Sequence, residues 1–219
     1  MLTFRGEPIH PRLIYKGAEA EIHLQYWFNE LAIRKTRIPK PYRVENLDEA
    51  IRRTRTSHEA IVMHEVKKLG VPAPVIFHVD SSTSTIIMEY IQAPTLKDEL
   101  KVLPKSKQSS RCETLGRKLG QMHSGGIVHG DMTLSNVLCN DELLCIIDFG
   151  LASYSGEDED KGVDLLLFNR ALKSSYFTTH LPLFAAFMKG YSCSSGRPTK
   201  MMLKKMHEIE RRGRYFDRA

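Results

Sequence analysis

The stretch His129-Gly130-Asp131-Met132-Thr133-Leu134-Ser135-Asn136, followed twelve residues later by Asp148-Phe149-Gly150, decides the fold of this chain. Phosphoryl transfer from ATP needs an Asp and an Asn five residues apart and then a second Asp behind a short apolar strand. Asp131 would receive or orient the attacking hydroxyl, while the Asn136 amide and the Asp148 carboxylate would hold Mg²⁺ on the ATP phosphates. Each residue alone is a weak signal, but their order and spacing together predict a phosphotransferase.

Length and composition limit the class of protein that this chain can be. The 219 residues are 42% hydrophobic and 26% charged, with a net charge of +6, which is typical of a globular protein with a real core. No apolar run approaches the roughly 20 residues that span a bilayer, and the N-terminus has no signal-peptide pattern. The four cysteines form no CxxC pair, which favours reduced thiols over a zinc site. We therefore expect no membrane contact and a cytoplasmic or nuclear location.

Residues 1–91 are predicted to form a small β-rich N-lobe with one long helix. Apolar residues recur at helical spacing from Leu47 to Leu69, and Gly70 and Pro72 end this helix. Strands are expected over 13–16, 21–26, 31–35, 75–79 and 85–90. The last two are separated by the turn at 80–82.

Residues 92–219 are predicted to form a mainly helical C-lobe, so that the fold class is α+β. A core-facing helix is indicated by apolar residues three or four positions apart, namely Cys112, Leu115, Leu119 and Met122. Further helices are expected over 163–172, 181–191 and 199–212. A short strand is expected over 143–147, and an acidic surface loop over 156–160.

The first lobe offers a cation for the phosphates and a carboxylate to hold it. Lys35 ends a predicted strand, and Glu59 lies midway along the long helix. Because both precede Asp131, Asn136 and Asp148 in a fitting order, we expect Lys35 to contact the ATP phosphates and to pair with Glu59. Lys40 is the alternative to Lys35.

Two other segments are expected to contact the nucleotide through their backbone. Gly17 lies in the turn between the first two strands, where a glycine lets N–H groups approach phosphates, although one glycine is a weak signal. Met88, Glu89 and Ile91 lie at the end of the last strand of the first lobe. The backbone there is expected to pair with the adenine edge.

In this order, the residues resemble those of the protein-kinase-like superfamily. An HGD triplet, here at 129–131, occurs in small-molecule phosphotransferases of the aminoglycoside and choline kinase type and in the small kinase subunit of the KEOPS (EKC) complex. The first half is similar to the KEOPS kinase signature in residues 16–20, 33–43 and 52–60, and the second half in 162–165 and 212–214. Over nearly its whole length the chain thus resembles the PRPK-like (p53-related protein kinase) atypical serine/threonine kinases.

The resemblance implies a two-lobed protein-kinase-like fold, with a reduced helical C-lobe, that binds ATP and Mg²⁺. It implies partnership with the threonylcarbamoyl-transferase subunit and the other KEOPS subunits, which make N6-threonylcarbamoyl-adenosine in tRNA. It also implies serine/threonine protein kinase activity and an ATP hydrolysis that drives the cycle of the complex.

The chain differs from ordinary protein kinases in two ways, one in the HGD triplet and one in the segment after Gly150. Gly130 replaces the arginine that in many kinases binds a phosphorylated activation loop. Only thirteen residues separate Gly150 from Asp164, and no APE triplet follows. Regulation by a phosphorylated loop is therefore not expected, and His129 is expected to fix the loop rather than to act as a base.

Two other functions stay open. A small-molecule phosphotransferase would need an extended helical half and usually a longer chain. A non-catalytic scaffold or tRNA-binding module would use the basic C-terminal tail, since arginines at phosphates release counterions and aromatic rings stack on bases. The tail residues are Arg211, Arg212, Arg214, Tyr215, Phe216 and Arg218, and contact with a protein partner is the alternative to contact with tRNA.

Overall fold

The computed structural model of this protein describes residues 11–140 and 144–216, with the side chains of the second range as far as residue 212. The Cα positions divide the chain into two compact units. The first comprises Met1–Met63 and Pro74–Gln92, and the second His64–Ala73 and Ala93–Ala219.

The first unit is built on a five-stranded antiparallel sheet in the order β1-β2-β3-β5-β4. The strands are β1 (Arg12–Lys16), β2 (Ala20–Trp27), β3 (Glu30–Arg37), β4 (Ile76–Asp80) and β5 (Thr85–Glu89). Helix α1 (Glu45–Lys68) follows β3, and its last residues belong to the second unit. The elements predicted over 1–91 are therefore all present.

Burial in the first unit follows the periodicity of the sequence. Ala32 and Ile86 on the sheet and Val62 and Met63 on α1 are at most 1% exposed. The side chains of Lys35 and Arg37 lie on the same face of β3, because alternate residues of a strand point the same way. Leu47, which belongs to the apolar series of α1, is 57% exposed instead.

The second unit is mainly helical. Its helices are α2 (Leu96–Val102), α3 (Lys105–Ser124), α4 (Asp158–Ser175), α5 (His180–Ser195) and α6 (Thr199–Phe216). Two short antiparallel pairs join β6 (Ile127–Val128) to β9 (Ser153–Tyr154) and β7 (Val137–Cys139) to β8 (Leu144–Ile146). A 3₁₀ turn at Leu134–Asn136 precedes β7.

Helices α3 and α5 pack with their backbones in close contact. A Cβ atom added at Gly116 would overlap the carbonyl oxygen of Phe187, and one added at Gly190 would overlap that of Glu113. Each helix thus gives the other a glycine to pack against. The predicted core face of α3 is confirmed, because Cys112, Leu115, Leu119 and Met122 are all fully buried.

The acidic loop predicted over 156–160 is wrong from residue 158 onward. Asp158, Glu159 and Asp160 form the first turn of α4. Carboxylates are stabilised there because the N-terminal end of a helix carries a partial positive charge. Among the described helices, none is long and apolar enough to cross a membrane.

Candidate active site

Lys35 on β3 and Glu59 on α1 form a buried ion pair. Lys35 Nζ lies 2.6 Å from Glu59 Oε1, and the two side chains are 8% and 1% exposed. The pairing predicted from the sequence is therefore present. The alternative cation, Lys40, donates instead to the carbonyl oxygen of Ala18 in the β1–β2 turn. Contact of Lys35 with a phosphate stays a prediction.

The sequence analysis missed Arg37, the second cation at Glu59. Arg37 Nη2 lies 2.6 Å from Glu59 Oε2, and its side chain is 5% exposed. The signal was available in the strand period, since a residue two positions after Lys35 shares its face. Each oxygen of Glu59 thus has its own cation.

The β1–β2 turn is held by hydrogen bonds and charges. The N–H of Gly17 donates to the carbonyl of Ala20 at 2.9 Å, which closes the turn. Glu19 in this turn accepts from Arg55 Nη1 at 2.6 Å. Partial burial raises the pKa of Glu19, but the hydrogen bond and charge of Arg55, together with the charges of Arg37 and Lys40, outweigh this effect, so the pKa is lowered overall. The phosphate contact of Gly17 stays a prediction.

The residues predicted to meet adenine lie at the end of β5. Met88 pairs with Ile33 of β3, and Ile91 follows the strand in irregular backbone. Glu89 is fixed to Val75 twice, because its N–H donates to the Val75 carbonyl at 2.8 Å and its carboxylate accepts the Val75 N–H at 3.1 Å. The adenine contact of these residues stays a prediction.

In the second unit, Asn136 and Asp131 are joined directly. Asn136 Nδ2 donates to Asp131 Oδ2 at 3.0 Å and to the Asp131 carbonyl at 2.8 Å. Since the NH₂ group is used in this way, the amide oxygen is the polar atom that Asn136 can offer to a cation. The Ile147 N–H donates to the Asn136 carbonyl at 2.9 Å. This bond joins the residue before Asp148 to the segment that carries Asp131 and Asn136.

Asp148 has an unusual backbone conformation. Its φ is +62°, in the left-handed region that few residues other than glycine adopt. Its Oδ1 accepts the Gly150 N–H at 3.3 Å, the kind of local bond that makes this conformation tolerable for Asp. The carboxylate is exposed, while Phe149 beside it is fully buried against the His129 ring, 5.2 Å between centroids. Such backbone strain collects at functional sites.

Gly130 has a steric reason to be glycine. Its φ is +78°, and an added Cβ would overlap the carbonyl oxygen of Leu151. In this conformation the position that carries arginine in many kinases is closed to any side chain. The departure noted in the sequence is thus a property of the loop backbone.

Asp164 on α4 fixes the backbone of the loop at His129–Asp131. Its two oxygens accept the N–H groups of His129 at 2.6 Å and Gly130 at 2.8 Å. The His129 ring donates from Nε2 to the Ile147 carbonyl at 3.1 Å and accepts the Asp131 N–H at Nδ1, 3.2 Å away. Both ring nitrogens thus serve the loop, which agrees with the structural role expected for His129.

A second buried histidine extends this network, and the sequence analysis did not name it. His123 Nε2 donates to Asp164 Oδ2 at 3.0 Å, and the Tyr191 hydroxyl donates to Nδ1 at 3.0 Å. Burial lowers the pKa of His123, although the nearby Asp164 opposes this effect. The histidine is therefore held neutral, with one donor and one acceptor in use.

The basic residues of the first unit are largely paired with carboxylates. Asp48, at the start of α1, accepts from Arg52 at 2.7 Å and from Arg43 at 3.4 Å. Arg53 pairs with Glu49 at 2.7 Å. The Arg43–Asp48 pair joins the segment after β3 to α1, while the other two pairs lie within α1. These three arginines are therefore paired with carboxylates.

The predicted tail contact with tRNA is only partly covered by the described residues. Arg211 is exposed, and Arg212 pairs with Glu159 on α4. The side chains of four tail residues, Arg214, Tyr215, Phe216 and Arg218, lie outside the described residues.

Residues 33–179 match the family model described as protein kinase domain. That range contains Lys35, Glu59, Asp131, Asn136 and Asp148. Fold and site together define a kinase-type phosphotransferase.

The relatives place the chain more narrowly. It is 39% identical over 216 residues to the KEOPS complex subunit Bud32 of Pyrococcus abyssi, covering 95% of this chain and 98% of that protein. It is 34% identical over 212 residues to a probable bifunctional tRNA threonylcarbamoyladenosine biosynthesis protein of Methanothermobacter thermautotrophicus, covering 97% of this chain but only 38% of that protein. The chain therefore belongs to the Bud32 family of protein kinases, and the resemblance seen in its sequence is confirmed.

Two solved structures share the fold. The Rio2 kinase–ADP/Mg²⁺–phosphoaspartate complex from Chaetomium thermophilum gives a TM-score of 0.64 at 16% identity, covering 92% of this chain and 70% of that one. WaaP in complex with acyl carrier protein gives 0.61 at 15% identity, covering 94% and 88%. At these identities the likeness concerns the fold alone, and it confirms the predicted α+β, protein-kinase-like fold.

Proposed function

We propose that this chain is an ATP-dependent serine/threonine kinase and ATPase that works within a KEOPS-type complex in tRNA N6-threonylcarbamoyl-adenosine modification. The observation that carries the proposal is the Asn136–Asp131 hydrogen bond, because it places a carboxylate beside an amide ligand in the order that phosphoryl transfer requires. The names of the relatives support the tRNA pathway. The names of these relatives do not support the alternative considered from the sequence, a small-molecule phosphotransferase.

The chemistry follows from the residue types. Asp131 would accept the proton of the attacking hydroxyl, or orient a water molecule in its place. Carboxylate and amide oxygens are ligands that Mg²⁺ prefers, so Asp148 and Asn136 fit a magnesium site. Bound Mg²⁺ would neutralise charge on the phosphates. Lys35, held by Glu59, would contact those phosphates.

Backbone contacts would complete the nucleotide-binding site. Gly17 would lie over the phosphates. Met88, Glu89 and Ile91 would contact adenine. These assignments rest on the order of the motifs.

The proposed partners are the threonylcarbamoyl-transferase subunit and the other KEOPS subunits. This proposal draws on the name of the Pyrococcus relative, of which the chain covers 98%. Contact with tRNA through the C-terminal tail is part of the same proposal, with Arg211 and Arg212 as its exposed described residues. We further propose a cytoplasmic or nuclear location, which the four unbridged cysteines support.

The proposal is tested by phosphate release from ATP, measured on the purified chain alone, then with the transferase subunit, then with tRNA added. Asp131→Ala should lower turnover by about 10²-fold or more, since general-base groups typically contribute 10²–10⁴-fold. Asp148→Ala should also lower turnover strongly, because the Mg²⁺ that neutralises the phosphates would lose a carboxylate ligand. Glu113→Gln is the control, because this residue forms surface ion pairs on α3. Turnover near wild type in both alanine variants would reject the assignment.

A further inference from the structure

The buried carboxylate of Glu59 is shared by two cations. Lys35 Nζ lies 2.6 Å from Oε1 and Arg37 Nη2 lies 2.6 Å from Oε2. The three side chains are all less than 10% exposed. A buried charge that loses its partner is strongly destabilised, so Arg37 gives Glu59 a counter-charge that does not depend on Lys35.

This second cation matters because Lys35 has two competing tasks. It pairs with Glu59 and, in the proposed function, it contacts the ATP phosphates. If Lys35 alone compensated Glu59, any shift of its ammonium group toward a phosphate would weaken the pairing of a buried carboxylate. Arg37 removes this conflict, because its guanidinium is always charged and offers several donors in a rigid plane.

Arg37 also reaches the turn between β1 and β2. Its Nη1 lies 3.7 Å from Glu19 Oε2, the same oxygen that accepts from Arg55 Nη1 at 2.6 Å. Arg55 is on α1, one helical turn before Glu59. The side chain of Arg37 therefore links β3, the turn and α1 around Lys35.

We infer that Arg37 is a positioning residue for ATP binding, which holds Glu59 in place so that Lys35 can engage the phosphates. The inference rests on the proposed ATP site. It predicts that the effect of Arg37 depends on the phosphates of the ligand. A merely structural residue would affect all ligands of the site alike.

The test is isothermal titration of the full chain with ATP in the presence of Mg²⁺, and a parallel titration with adenosine. Arg37→Gln should weaken ATP binding about tenfold or more, as expected when a hydrogen bond to a charged group is lost. Arg37→Lys keeps the charge but lacks the planar guanidinium group, so its ATP affinity should lie between those of the wild type and Arg37→Gln. Adenosine should bind all three proteins equally. Arg53→Gln is the matched control, since Arg53 forms an exposed pair with Glu49 on α1, the helix that carries Glu59.

Unchanged ATP affinity in Arg37→Gln would overturn the inference, as would an equal loss of ATP and adenosine affinity. If circular dichroism shows that Arg37→Gln does not fold, Arg37→Lys decides. Weaker ATP binding with unchanged adenosine binding then supports the inference, and wild-type ATP affinity overturns it. Failure of the wild-type chain itself to bind ATP would contradict the proposed function, and the inference with it.

Discussion

Replacement of Asp164 by asparagine should destabilise the second unit. The carboxylate accepts three donors, the N–H groups of His129 and Gly130 and the His123 ring, and it is fully buried. An asparagine of the same size has only one oxygen, so its NH₂ group must face at least one of these donors. A buried donor left without an acceptor costs about 1–3 kcal/mol, and the remaining bonds lose the help of the negative charge.

We therefore expect the free energy of unfolding to fall by about 3 kcal/mol, which for a chain of this size lowers the melting temperature by about 9 °C. The assay is urea unfolding followed by far-ultraviolet circular dichroism. Asp158→Asn on the same helix is the control, because Asp158 is 31% exposed and pairs with Arg197 at the surface, a contact worth at most about 1 kcal/mol. If Asp164→Asn were as stable as this control, the reasoning about the three donors would be refuted.

Gly116→Ala should lower the free energy of unfolding by about 1–3 kcal/mol in the same assay, because its methyl group would overlap the backbone of α5. Gly156→Ala, where an added Cβ meets nothing within 4 Å, should leave it unchanged, and equal effects would contradict the packing argument. Burial lowers the pKa of His123 from its usual 6.5, so below pH 6.5 the unfolded chain binds more protons at this residue than the folded chain does. Its contribution should therefore make the wild-type protein lose stability as the pH falls from 6.5 to 5, and His123→Gln should show a smaller loss in urea unfolding at each pH.

Local patterns in the sequence predicted most of the fold. The apolar series of α1 and α3 gave both helices, because helical spacing depends only on neighbouring residues. The start of α4 was misread, since a run of acidic residues fits a solvated loop as well as a helix N-terminus. Helix α2 was not delimited, although Thr95 and Asp98 carried a capping signal; the Thr95 side chain accepts the Asp98 N–H.

The candidate site was predictable only in part. Lys35, Glu59, Asp131, Asn136 and Asp148 could be named because a motif fixes their order. The partners that hold them, such as Arg37 and Asp164, belong to contacts between segments about 20 to 35 residues apart. The strand period places Arg37 on the face of Lys35, but it does not indicate which distant residue the side chain meets. A charged residue in a sequence is also expected first to be solvated.

The close glycine contact between α3 and α5 has a consequence for folding during synthesis of the chain on the ribosome. Gly116 and Gly190 enclose the whole of His129–Asn136 and Asp148–Gly150 between them in the sequence. Domains form as units while the chain is synthesised from its N-terminus, and contacts between distant segments close late. The segment His129–Gly150 is therefore synthesised before α5, and α3 can pack against α5 only after Gly190 has been made and has left the ribosome.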